Sequence, residues 1–167
     1  MKGTQLPSAR QFVIRPLDPG TSTDFQERLR YLGTLEILPG PEPLWVLSVA
    51  EAGLAPQAAW ERLGDALGPG LAAHPVFFDE QGHALYPTGV ITVRFASAPT
   101  EAELDLFAKE YDLENCNRNK FVPAQATFTP RRPAAVFLPE VIEKINLSPQ
   151  VKSAWAETIS RYRRYST

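Results

Sequence analysis

Two histidines and two carboxylates crowd one short run, His74-Pro-Val-Phe-Phe-Asp79-Glu80-Gln-Gly-His83. Donors of these types could hold a divalent metal or exchange a proton with a substrate. Their spacing matches no metal-ligand template, because structural and catalytic zinc sites bring three or four donors together from characteristic short intervals. If residues 72–78 form a strand, His74 and His83 are parted by a strand end and a turn, and the polar residues simply decorate that turn. The single cysteine, Cys116, could pair with either histidine as a thiolate nucleophile. A lone cysteine on a strand is more simply a small buried hydrophobe. Glu101 and Glu103 are paired carboxylates whose position is explained by helix capping. The chain contains no G-x-S-x-G, phosphate-binding loop or G-x-G-x-x-G. The expectation is therefore a protein that is not an enzyme, with no catalytic residue, no metal ligand and no cofactor.

One more constellation could do chemistry. Arg161-Tyr162-Arg163-Arg164-Tyr165 interleaves cations with rings, as single-strand nucleic-acid sites do, and Arg131-Arg132 adds a second basic pair. The plainer reading is a solvated helix end or tail. A net charge of −2 and a pI near 5.7 argue against nucleic acid or an anionic membrane as the main partner. The candidate sheet strands agree. Residues 44–49 carry one aromatic and no Lys or Arg, and residues 122–128 carry no charge.

These groups must be positioned by alternating strands and helices. Residues 12–17 read as a strand, and Phe25, Leu29 and Leu32 follow at helical spacing up to Gly33. Residues 34–49 read as a hairpin. Pro56 opens a helix with Trp60, Leu63 and Leu67 on one face, and residues 72–78 make the next strand. The same order then recurs. Residues 90–95 form a strand, and Thr100 with Glu103 spells a capping box. Leu104, Phe107, Ala108 and Tyr111 make an apolar stripe. Short strands follow at 113–116 and 122–128, then a helix at 139–145 and a strand at 151–155. Phe12-Val13-Ile14-Arg15 falls on Ile91-Thr92-Val93-Arg94 at an offset of 79, and Leu32 on Tyr111, Val49 on Phe128 and Val76 on Trp155 at the same offset. A constant offset through successive elements predicts an internal duplication.

The predicted fold class is α+β: two tandem ferredoxin-like βαββαβ units, residues 10–80 and 88–157, followed by a C-terminal tail, 158–167. Each unit would have a four-stranded antiparallel sheet with its helices on one face. The opposite face would stay open as a docking surface, and residues 79–88 would link the units. One cysteine precludes an intramolecular disulfide. No run of about 18 apolar residues predicts a membrane span. The N-terminus lacks a signal-peptide core, so a cytoplasmic location is expected.

Residues 72–95, with the phrases Pro75-Val76-Phe77-Phe78-Asp79 and Pro87-Thr88-Gly89-Val90-Ile91-Thr92-Val93-Arg94-Phe95, resemble the prodomain of bacterial subtilisin-like serine proteases. Thr100–Tyr111 fits the helix that follows there, and Asn119–Pro123 the hairpin. Pro139–Trp155, ending Val151-Lys152-Ser153-Ala154-Trp155, is similar to the prodomain's last helix and strand. The protease domain, with its Asp, His and Ser, is absent. The resemblance implies a ferredoxin-like fold and a protein partner, a subtilisin-like protease, for which the chain acts as inhibitor or folding chaperone. It implies that the open sheet packs on two surface helices of the enzyme while the C-terminal tail lies along the cleft like a product. Here that tail is residues 156–167, with Arg161, Tyr162, Arg163, Arg164, Tyr165, Ser166 and Thr167 as the partner-binding segment. The alternatives are a non-inhibitory interaction or structural module, and a tandem ferredoxin-like protein that binds nucleic acid.

Overall fold

The computed structural model describes residues 5–18, 24–40, 43–50 and 53–160. The chain is α+β, with antiparallel strand pairing and four α-helices among these residues. It divides into two compact units, one ending at Pro87 and rejoined by Thr158 onward, the other spanning Thr88–Glu157. None of the described helices is long and apolar enough to cross a membrane.

The first unit contains β1 (Leu6–Pro16), α1 (Asp24–Leu32), β2 (Gly33–Leu38), β3 (Leu44–Val49), α2 (Pro56–Leu67) and β4 (Leu71–Phe78). The strands lie in the order β2-β3-β1-β4. Strand alternation sends Phe12 and Ile14 toward the helices, where they meet Phe25, Leu29, Leu47, Ala59, Leu63 and Leu67. Burial of each large apolar side chain contributes about 1.5–3 kcal/mol, so this seam outweighs the weak propensities of short helices. In α2 the buried residues are Ala59, Leu63 and Leu67. Trp60, expected on that face, is half-buried, and its indole N–H donates to the Ala73 carbonyl at 2.9 Å. Arg28 of α1 donates to the carbonyls of Ala66 and Leu67, at 3.3 and 2.9 Å, and so satisfies the end of α2. Near the start of β1 the register against β4 shifts between Pro7 and Phe12. The Ser8 hydroxyl organises that irregularity by accepting from the amides of Arg10 and Gln11.

The residues expected to form a linker instead form a hairpin and a strand. Asp79–His83 turn the chain, and β5 (Ala84–Phe95) starts at once, with Ala84 opposite Phe78 and Leu85 opposite Phe77. Ala84 and Tyr86 pack with Val13, Leu38, Val46 and Val76 on the sheet face away from the helices. That face was expected to be open. In this unit it carries a buried apolar cluster, to which β5 contributes Tyr86.

The second unit contains β5 from Thr88, α3 (Glu101–Glu110), β6 (Leu113–Arg118), β7 (Gln125–Pro130), a 3₁₀ turn at Pro133–Ala135, α4 (Leu138–Asn146) and β8 (Val151–Ser160, in this unit as far as Glu157). β5 pairs with both β7 and β8, and β6 pairs with β7. The Ala96 amide donates to the Gln150 carbonyl and the Thr88 hydroxyl to the Glu157 carbonyl, so β8 runs antiparallel to β5. The core is Ile91, Val93 and Phe95 against Leu104, Phe107, Phe128, Leu138 and Ile145. Both halves of the capping box form: Glu103 N–H donates to Thr100 Oγ1 at 3.2 Å, and Thr100 N–H to Glu103 Oε2 at 2.9 Å. β7 begins at Gln125, three residues later than expected. Val122 and Phe121 belong instead to a turn whose amides donate to the Asn119 side-chain oxygen, at 3.0 and 2.8 Å.

Candidate functional site

The segment expected to bind a partner, Arg161, Tyr162, Arg163, Arg164, Tyr165, Ser166 and Thr167, lies outside the described residues. What is described is the strand that leads into it and the sheet that carries that strand.

In the second unit the face away from the helices carries mostly polar side chains. Alternation from the core residues Ile91, Val93, Ala126 and Phe128 turns Val90, Thr92, Arg94, Gln125, Thr127 and Thr129 to the other side. Arg94 is exposed, Val90, Gln125, Thr127 and Thr129 are half-buried, and Thr92 is buried. Thr92 stands opposite Thr127 and Arg94 opposite Gln125. Such cross-strand pairs of short polar side chains suit strand geometry. Trp155 of β8 is half-buried in the same unit. The end of α4 fastens β8. Asn146 Nδ2 donates to the Ala154 carbonyl at 3.0 Å, and the Ala154 amide donates to Asn146 Oδ1 at 2.8 Å. The side-chain amide thus acts as one peptide unit of a further strand at that point. Sequence periodicity missed this residue, because an asparagine at a helix end reads as a cap.

The hairpin of this unit presents Phe121 almost entirely to solvent. At the other end of β6, Asp112 takes a positive φ of 54° and carries an ion-pair cluster. Arg132 approaches it at 2.9 Å and Arg131 at 3.9 Å. Arg131-Arg132, considered above as a basic patch, therefore has a structural role at the edge of the sheet.

The histidine–carboxylate run is dispersed by the fold. His74 is fully buried in β4, opposite Val13, and neither ring nitrogen has a hydrogen-bond partner among the described residues. Burial, with a lesser contribution from the Arg15 guanidinium, pushes its pKa down to about 3. It is a neutral core residue at ordinary pH. His83 is exposed in the turn, where its Nδ1 lies 3.2 Å from Asp79 Oδ2. Asp79 Oδ1 also accepts from the amides of Gln81 and His83, both at 2.9 Å. These bonds, that of the His83 amide foremost, hold the Asp79 carboxyl below its usual range. Its hydrogen bonds all serve to close the hairpin. Cys116 falls where the β6–β7 register slips between Asn115 and Asn117, in the other unit from both histidines. Among the described residues no group of three or more His, Cys, Asp or Glu side chains could hold a metal ion.

In the first unit a cavity of about 390 Å³ opens between α1, α2 and the end of β3. Among the described residues its lining is apolar apart from Arg62.

No protein-family model matches this chain, and no curated protein matches it.

Proposed function

We propose that the chain is a tandem of two ferredoxin-like βαββαβ units, and that it binds a subtilisin-like serine protease as a prodomain-like inhibitor or folding chaperone. The observation that carries this reading is where the prodomain-like phrases fall. Pro75–Phe78 closes β4, Asp79–Gly82 makes the turn, and Pro87–Phe95 lies in β5. Thr100 caps α3, Asn119–Pro123 forms the next turn, and the Pro139–Trp155 segment spans α4 and the first half of β8. The strand pairings support the tandem arrangement. In each unit the first strand pairs with the third and the fourth, and the second strand pairs with the third.

On this reading the polar sheet face of the second unit docks on the protease, and residues 161–167, continuing from β8, lie along the substrate cleft. Extended peptide binding of this kind uses main-chain hydrogen bonds for affinity and side-chain pockets for specificity. The chain performs no reaction itself. It occupies the cleft as a product would, and the protease supplies the only nucleophile.

The test is removal of residues 161–167. The full chain is expected to inhibit subtilisin, and the truncated chain to lose inhibition at an unchanged melting temperature. Equal inhibition by both would sink the tail mechanism. Inhibition by neither would sink the protease reading and favour a non-inhibitory interaction module.

A further inference from the structure

We propose that β2 pairs with β2 of a second copy of this chain, antiparallel and centred on Leu35, so that the protein forms a symmetric dimer. β2 is the outer strand of the first unit. It pairs with β3 over six consecutive positions, from Gly33 opposite Val49 to Leu38 opposite Leu44, with no shift of register. Its other edge has no partner strand among the described residues. The backbone amides and carbonyls along such an edge are a template for another strand.

The outer strands of the second unit are interrupted, and β2 is not. The ladder of β6 with β7 shifts between Asn115 and Asn117, and β6 carries Glu114 and Arg118. The Asn146 side chain occupies both polar groups of Ala154 in β8. β2 has no register shift, no proline and one charged residue, Glu36. Ile37 on this strand is 45% exposed, and Tyr31, two residues before its start, is 91% exposed.

A second copy is the occupant that the residues of the strand select. In a twofold pair with its axis normal to the sheet, facing residues come from the same sheet face, so the pairing is centred on one residue. Centred on Leu35, the strand sets Leu35 against its own copy, Gly33 against Ile37 and Thr34 against Glu36. The exposed isoleucine then faces a glycine, which leaves it room, and no like charges meet. Centred on Glu36, the strand would set two carboxylates opposite each other, which is destabilising. This choice depends on what faces Glu36 from the second copy, whatever that carboxylate touches within its own. Each copy brings the same edge, so the pairing closes both. The inference is independent of the protease reading, because every residue that pairs lies in the first unit, away from the sheet face of the second unit and residues 161–167.

The test is sedimentation equilibrium of the full chain from low micromolar to near-millimolar concentration, beside Thr34→Lys, Thr34→Glu and Ile37→Lys, with a melting temperature for each. The full chain is expected to pass from monomer to dimer across that range. Thr34, an exposed position, faces Glu36 twice in the dimer. Thr34→Lys is therefore expected to tighten the dimer about fivefold, and Thr34→Glu to weaken it about fivefold. Lys and Glu are both poor strand formers, so opposite shifts report the charge across the interface. Ile37→Lys is expected to remain a monomer, because a lysine on an edge strand blocks further pairing. A monomer at every concentration of the full chain would overturn the proposal, as would a dimer that survives Ile37→Lys. Equal responses to Thr34→Lys and Thr34→Glu would overturn the register centred on Leu35.

Discussion

Replacement of His74 by leucine is expected to remove an acid sensitivity that the native chain carries. In the folded protein His74 is fully buried between Ala72 and Val76 along β4, with neither ring nitrogen satisfied among the described residues. Its pKa is pushed from the ordinary 6.5 to about 3. Above pH 6.5 the ring is neutral in both the folded and the unfolded chain, and the shift contributes nothing. Below pH 6.5 the unfolded chain takes up a proton that the folded chain refuses, so stability falls by about 1.4 kcal/mol per pH unit until the folded ring titrates near pH 3. At pH 5 the loss amounts to about 2 kcal/mol, and at pH 4 to about 3 kcal/mol. Urea unfolding of the native chain and of His74→Leu at pH 7, 5 and 4 measures it. Effects of the carboxylates are common to both proteins and cancel in the difference. The leucine variant should be at least as stable at pH 7, since it removes a buried donor and acceptor that have no partners. Parallel stability curves for the two proteins between pH 7 and pH 4 would refute the reasoning. So would an NMR titration of His74 in the folded protein near its ordinary pKa.

Three substitutions probe the scaffold. A Cβ at Gly33 would collide with the Ser48 carbonyl oxygen across the β2–β3 ladder, so Gly33→Ala is expected to cost about 1–3 kcal/mol, measured by thermal unfolding. Thr100→Ala removes one half of the capping box and is expected to cost about 1 kcal/mol, with faster amide exchange confined to the first turn of α3. Asn146→Ala leaves both polar groups of Ala154 without their partners and is expected to cost about 1–3 kcal/mol. Faster exchange of the Ala154 amide would distinguish this from a general loss of stability.

The order of strands and helices could be read from the sequence because each element has its own apolar period, bounded by turn residues. Phe12 and Ile14, and Ile91 and Val93, are the buried pairs that alternation predicts. What escaped was decided by contacts distant in sequence, or by backbone geometry. From the sequence this strand starts only at residue 90, yet β5 runs through Pro87 and Gly89, and Gly89 takes a φ of 89° that a side-chain-bearing residue would resist. Because β5 starts early, Ala84 and Tyr86 reach the face of the first sheet that periodicity left open. His74 looked like a polar residue near a strand end. Its burial follows from pairing with Val13, some sixty residues earlier, which no local pattern contains. The Asn146 clamp escaped for another reason: it depends on where one side-chain amide points, and residue type alone does not specify that.

The central claim is tested most directly by titrating the full chain into subtilisin, with a chromogenic peptide as reporter, at low and high salt. The account predicts competitive inhibition that saturates at one chain per protease at both salt concentrations. Full protease activity at micromolar concentrations of the chain would contradict it.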